Sequence, residues 1–263
     1  AINFSEIYEQ LMGLNLSIYV PSHFLQPSAI AKYESNVDPS KKGISQQGRE
    51  KGIRHLMSIN LLKRLESSVY SFTLTLERIS KYIESTLAII ELHQGGAAIT
   101  EDFGDWEESL DEEDQDTDLF TIGRQFKIAL SDMDVLSWQR DLQDDKETLD
   151  LLISLVRDIH PEDDNKLQSL LTLIKKKVEH PINPGNKKIL IFSAFSDTAM
   201  YLYENLSRYA KDSLHRNTAL VYGSDGKSTV SRLSSTFDNL LTCFSPISKE
   251  KSILMPNNAD EID

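Results

Sequence analysis

The chain has 263 residues, a net charge of −13 and one cysteine, Cys243. A single thiol excludes an internal disulfide scaffold, and the length suits one large or two modest domains with cores of their own. Apolar runs such as Ile189 to Phe192 fall far short of the roughly 20 residues a membrane helix needs, so a soluble, cytoplasmic chain with no membrane partner is expected.

The charge is unevenly spread. Eleven of the eighteen residues from 101 to 118 are Asp or Glu, with no Lys or Arg among them. Residues 186–263 hold nine basic and nine acidic side chains, so a face turned toward nucleic acid is neither demanded nor excluded there. The opening Ala1-Ile2-Asn3-Phe4 has no basic n-region and no apolar h-region, the expectation for a piece of a longer protein without a secretory leader.

In chain order, residues 1–44 read as short helices and loop. Ile7, Leu11, Leu14, Leu16 and Ile18 form a brief apolar pattern that Pro21 should end, and Ser35 to Gly48 is rich in loop residues. Residues 45–95 read as one long helix. Leu62, Leu65, Val69, Phe72, Leu76, Ile79, Ile83, Leu87 and Ile90 recur at steps of three and four, a stripe of core or coiled-coil type. Lys63, Arg64, Glu66, Arg78, Lys81 and Glu84 read as its solvated face.

Residues 96–118 read as an acidic, flexible insert, since like charges at that density repel. Phe103 and Trp106 could dock it on a basic surface. Asp114, Asp116 and Asp118 imitate the start of a calcium loop, but Leu119 and Gln125 stand where glycine and a bidentate glutamate are required. Residues 119–185 carry the remaining helices: one over Phe120, Ile122, Phe126, Leu130, Met133 and Leu136; one over Leu149, Leu152, Ile153, Val156 and Ile159; and one over Leu167, Leu170, Leu171, Ile174 and Val178. The last two end before Pro161 and Pro181.

A boundary falls at Pro181 to Asn186. Beyond it, Lys188 to Ser193 has the length and apolar continuity of a buried strand. Ser196 or Asp197 can cap a helix bearing Ala199, Leu202 and Leu206, and Thr218 to Tyr222 reads as a second strand, parallel to the first. A helix over residues 229–242 follows, with Val230, Leu233, Phe237, Leu240 and Leu241 on one face. Two parallel strands are too few to bury both faces of a sheet. The fold class is therefore mainly α with a C-terminal α/β part.

Gly223 to Thr229 lies between a strand and a helix, where a phosphate-binding loop belongs. The spacing is wrong, because Val221 occupies the first glycine position of such a loop. Contact of Lys227, Ser228 and Thr229 with a nucleic-acid backbone remains open. The six histidines show no metal-ligand spacing and no Gly-x-Ser-x-Gly is present, so no metal and no catalytic residue is expected.

Lys187 to Leu202 (KKILIFSAFSDTAMYL) resembles the motif IV region that opens the second RecA-like lobe of Swi/Snf-type superfamily-two helicases and translocases. Val221-Tyr222-Gly223 is similar to the strand ending the first crossover of that lobe. Leu241 to Lys249 and Glu261-Ile262-Asp263 look like the approach to motif V in a bacterial branch, and Asn60 to Ser68 like the helical region before the lobe.

The resemblance implies a helical bundle with one long helix, followed over 186–263 by an incomplete RecA-like helicase C-terminal lobe with a parallel sheet. It implies a parent that couples ATP and Mg²⁺ to movement on nucleic acid, DNA before RNA, with a first RecA-like lobe in the same chain. It places Ser193, Phe195, Asp197 and Thr198 at the C-terminal end of the first strand, where open parallel sheets present ligands, and Gly223 at the end of the next. Ser193, Phe195, Thr198, Gly223, Lys227 and Ser228 are the expected nucleic-acid contacts. Walker A, DExx box, motif V and motif VI are absent, so this fragment alone is expected neither to hydrolyse ATP nor to translocate. The alternative is a non-catalytic helical interaction module using the Leu62 to Ile90 seam.

Overall fold

The structure, a computed structural model, describes residues 4–34, 46–95, 128–223 and 225–263. The acidic insert, with Phe103 and Trp106, and the helix expected to start near Phe120 fall largely outside them. Two compact units are present: one runs to Glu66 and again from Phe72 to Asp158, the other comprises Ser67–Ser71 and Ile159–Asp263.

The first unit is helical. It contains α1 (Phe4–Gly13), two 3-10 turns (Ser17–Tyr19 and Pro21–Phe24), α2 (Ile30–Glu34), α3 (Gln46–Ser67), α4 (Val69–Gln94) and α5 (Val135–Val156). The long helix expected over 45–95 is in fact two helices. Ser68 interrupts it: its Oγ accepts from the N–H of Ser71 at 3.4 Å, the N-cap role in which serine competes with a continuing helix. The apolar stripe is the buried line only after the break, where Phe72, Leu76, Ile79, Ile83 and Ile90 are all fully buried; before it Leu62, Leu65 and Val69 are half-buried and the buried line runs through Met57 and Leu61. Arg64, expected on the solvated face, is fully buried too.

Helix α5 starts fourteen residues earlier than the Leu149 stripe suggests, with Asp134 as N-cap accepting from the N–H of Ser137. Leu130 and Met133 are therefore not helical. Leu130 lies in a 3-10 turn, and Met133 forms an isolated antiparallel bridge with Leu25. That bridge is flanked by the N–H of Gln26 on Asp132 O (2.9 Å) and the N–H of Asp134 on Phe24 O (2.7 Å).

Two carboxylates hold the N-terminal arm of this unit. Asp145, 1% exposed, accepts from the N–H groups of Asn15 (2.7 Å), Leu16 (3.1 Å) and Ser17 (2.6 Å). Leu16 sits at φ 51°, so the chain turns sharply and presents three successive donors to one side chain. Glu50 on α3 accepts from the N–H and Oγ of Ser22 at 3.0 and 2.6 Å, and from Gln46 Nε2 at 3.0 Å. Trp138 Nε1 adds a bond to Ser17 O at 3.1 Å.

The second unit contains α6 (Asn165–Glu179), α7 (Ser196–Leu214), β1 (Ala219–Tyr222), β2 (Asp225–Ser228), α8 (Phe237–Phe244) and the short α9 (Lys251–Leu254). Asp164 caps α6 by accepting from the N–H groups of Lys166 and Leu167, both at 3.0 Å. Leu167 packs with Tyr201 and Leu206 of α7, so α6 and α7 share one small core. A second core joins Val230, Leu240, Cys243 and Ile262.

The parallel sheet is not present among the described residues. Lys188 to Ser193 is extended but pairs with no strand, and β1 pairs antiparallel with β2, Tyr222 opposite Asp225 and Ala219 opposite Ser228. That register leaves two residues for the turn. Gly223 enters it at φ 53°, the left-handed region a tight hairpin needs and glycine reaches without a Cβ penalty. The helix expected over 229–242 is shorter, since α8 starts only at Phe237. Val230 and Leu233 precede it in irregular backbone where Arg232 has φ 62°.

Candidate nucleic-acid interface

The block that carries the resemblance runs without a bend from Lys187 to Ser193, bends at Ala194 and enters α7 at Ser196. Neither Ser196 nor Asp197 is the cap: the N-cap is Phe195, with no side-chain capping bond. Ser193 closes a local turn ahead of the helix, its Oγ accepting from the N–H of Phe195 at 3.2 Å and lying 3.0 Å from Phe195 O. Ser193 is exposed, as a ligand contact requires. Phe195 and Thr198 are buried, and Thr198 Oγ1 is 3.0 Å from Ser67 Oγ, so both serve the interior of the unit.

Lys227 is exposed on β2, and its Nζ donates to Met200 Sδ on α7 at 3.2 Å. Sulfur is a weak acceptor and leaves the ammonium's remaining N–H groups for other partners. The hairpin thereby sets one cation against Met200, in the second turn of α7, whose first turn carries the acidic Asp197. Ser228 is half-buried, and its Oγ accepts from the N–H of Val230 at 3.0 Å. Gly223 is exposed at the hairpin turn, on β1's far end from Ala219. Of the six expected contacts, Ser193, Gly223 and Lys227 are therefore accessible and the other three are engaged in packing or local hydrogen bonds.

Gly226 has a role unrelated to phosphate. A Cβ there would stand 2.5 Å from Leu240 Cδ1 and 2.6 Å from Leu220 O, so glycine lets α8 close onto the hairpin. Gly226, Lys227 and Ser228 lie within β2 instead of wrapping an anion. The described residues thus do not form a triphosphate cradle, and no step of ATP hydrolysis is assigned to them.

A feature invisible in the motif reading lies beside this region. Tyr201 stacks on Tyr70 at 5.0 Å between ring centroids and donates its hydroxyl to Asp164 Oδ2 at 3.0 Å. Burial raises the Tyr201 hydroxyl well above the usual phenol range, and the Asp164 charge adds to it. It remains a neutral donor that ties α7 to the α6 cap. Spacing offered no clue, because Tyr201 stands off the Ala199, Leu202 and Leu206 line of α7.

Among the described residues no group of three or more His, Cys, Asp or Glu side chains is placed to hold a metal ion, and no helix is long and apolar enough to cross a membrane. Comparison with known proteins finds no match: no family model, no curated protein and no solved structure corresponds to this chain.

Proposed function

We propose that this chain is part of an ATP-dependent nucleic-acid helicase or translocase, contributing a helical region and the opening of a second RecA-like motor lobe. The observation that carries the reading is the Lys187 to Leu202 block, which passes from an exposed extended run into α7 with Lys227 beside that helix. In this reading Lys227 and the exposed Ser193 touch the phosphate backbone, and DNA is favoured over RNA. ATP and Mg²⁺ belong to the parent, whose first lobe supplies the nucleotide cradle. This chain alone is inactive.

The test is ATP hydrolysis by the parent with and without DNA or RNA, together with a search of its sequence for a Walker A loop. A parent lacking that loop sinks the proposal. The second reading, a partner-seeking helix seam, is disfavoured by a specific observation. Phe72, Leu76, Ile79, Ile83 and Ile90 are already buried within the chain, so a partner helix would have to displace existing contacts.

A further inference from the structure

Positive charge in this chain is concentrated at one place in the second unit. Residues 175–188 hold five lysines, no arginine and one carboxylate, Glu179, a net +4 in a chain of net −13. The fold draws the two ends of that segment together. The chain turns back after α6 at Pro184-Gly185, with Gly185 at φ 77° and the N–H of Asn186 on Asn183 O at 3.0 Å. Lys177 Nζ, in the last turn of α6, then donates to Asn186 O at 3.3 Å. Lys187 thus follows directly on a residue tied to the end of the helix that carries Lys175 and Lys176.

Local structure accounts for part of this charge. A helix C-terminus carries about half a negative charge and favours a nearby cation, the role Lys177 fills. Lys188 is held within the unit, its Nζ on Ile262 O at 2.8 Å and on Glu261 Oε2 at 3.3 Å. The side chains of Lys176 and Lys187 make no hydrogen bond or ion pair among the described residues. Lys175 stands 4.0 Å from Glu179, both of them exposed, a pairing of little worth in water. Successive residues of a helix are set about 100° apart, so Lys175 and Lys176 diverge and do not converge on one small anion. They suit a polyanion whose own charges are spaced out. Residues 165–191 include no Phe, Tyr or Trp on which unpaired bases could stack, and no Arg, whose fork pairs bidentately with carboxylates. The spaced phosphates of a duplex are the polyanion that fits a set of separate ammonium groups.

We propose that Lys175, Lys176 and Lys187 form a phosphate-backbone contact for duplex DNA, indifferent to base sequence and separate from Lys227. The inference rests on the nucleic-acid reading above and adds a surface outside the six contacts that the resemblance implies.

The test is fluorescence anisotropy of a labelled DNA duplex of about twenty base pairs, titrated with the full chain across a range of salt. Lys175→Ala, Lys176→Ala and Lys187→Ala combined should lower the slope of log affinity against log salt by about 2–3, and the affinity near physiological salt by about tenfold or more. Lys51→Ala, at an exposed position of α3, removes the same kind of charge elsewhere and should leave the slope unchanged. A triple variant that keeps the wild-type slope would overturn this contact, and binding that is weakened by Lys227→Glu in the same series would leave the nucleic-acid reading standing. A wild-type chain that binds no duplex even at low salt would overturn both. Poly-glutamate bound as tightly as the duplex, and released by the same three substitutions, would overturn the assignment to DNA by making an acidic polypeptide the partner.

Discussion

Removing the Asp145 carboxylate tests how the N-terminal arm is held to the first unit. Asp145→Ala deletes the acceptor for three N–H groups, two of them in buried bonds and that of Asn15 only part-buried. A buried donor left without a partner costs about 1–3 kcal/mol, so two such donors set a scale of about 2–6 kcal/mol. Water can reach the Asn15 amide, and the cost of desolvating the carboxylate is recovered, which together place the net loss at about 2–4 kcal/mol. With a urea slope of about 2 kcal/mol per molar, the midpoint should fall by about 1–2 M. Trp138 is the reporter, being buried and bonded to Ser17 O in the same arm. Trp106→Phe as background makes it the sole tryptophan. Asp145→Asn, which keeps one acceptor oxygen, should lose less. A midpoint for Asp145→Ala within about 0.2 M of its background would show that the three bonds contribute nothing net and would refute the reasoning.

Burial raises both Asp145 and Glu50 above their ordinary values of 3.8 and 4.5, against the pull of their hydrogen bonds. The folded state then holds these protons more tightly than the unfolded chain. Their contribution to stability is greatest below the ordinary values and is lost as pH rises through the raised ones. Urea midpoints of wild type and Asp145→Asn across that window should show a flatter pH dependence in the variant, and identical slopes would contradict the assignment. Gly226→Ala should destabilise the second unit by about 1–3 kcal/mol, since Leu220 O is backbone and cannot swing aside. Faster exchange of the β1 and β2 amides checks this, with Lys227→Ala as a control that should leave them unchanged. Sedimentation equilibrium should report that the Leu62 to Ile90 stripe drives no association, whereas a dimer abolished by Leu76→Asp would restore the interaction-module reading.

Much of the helical unit was legible because burial follows the three-to-four spacing. Leu149, Leu152 and Val156 mark the inner face of α5, and Phe72 to Ile90 that of α4. What escaped is where a polar residue occupies that face. Asp145 lies between Leu142 and Leu149 at helical spacing, on the line that begins at Trp138, and Glu50, Asn60 and Arg64 stand in the same way along Ile53, Met57 and Leu61. A charged residue in register with an apolar stripe was the available signal, and it marks a side chain held by buried hydrogen bonds. The break at Ser68 left no trace in the pattern because one non-helical residue barely shifts the phase of the stripe. In the second unit, Lys188 to Ser193 has the composition of a strand and is extended, but pairing depends on a partner edge that composition does not reveal. Residues 218–229 paired locally instead, because Gly223 permits a two-residue turn between strands of four.

The most direct measurement is the rate of ATP hydrolysis by the parent with and without DNA, beside this chain alone. The account predicts a DNA-stimulated parent, a stimulation weakened by Lys227→Glu, and no hydrolysis by this chain. A folded parent that hydrolyses no ATP under any nucleic-acid condition would contradict it.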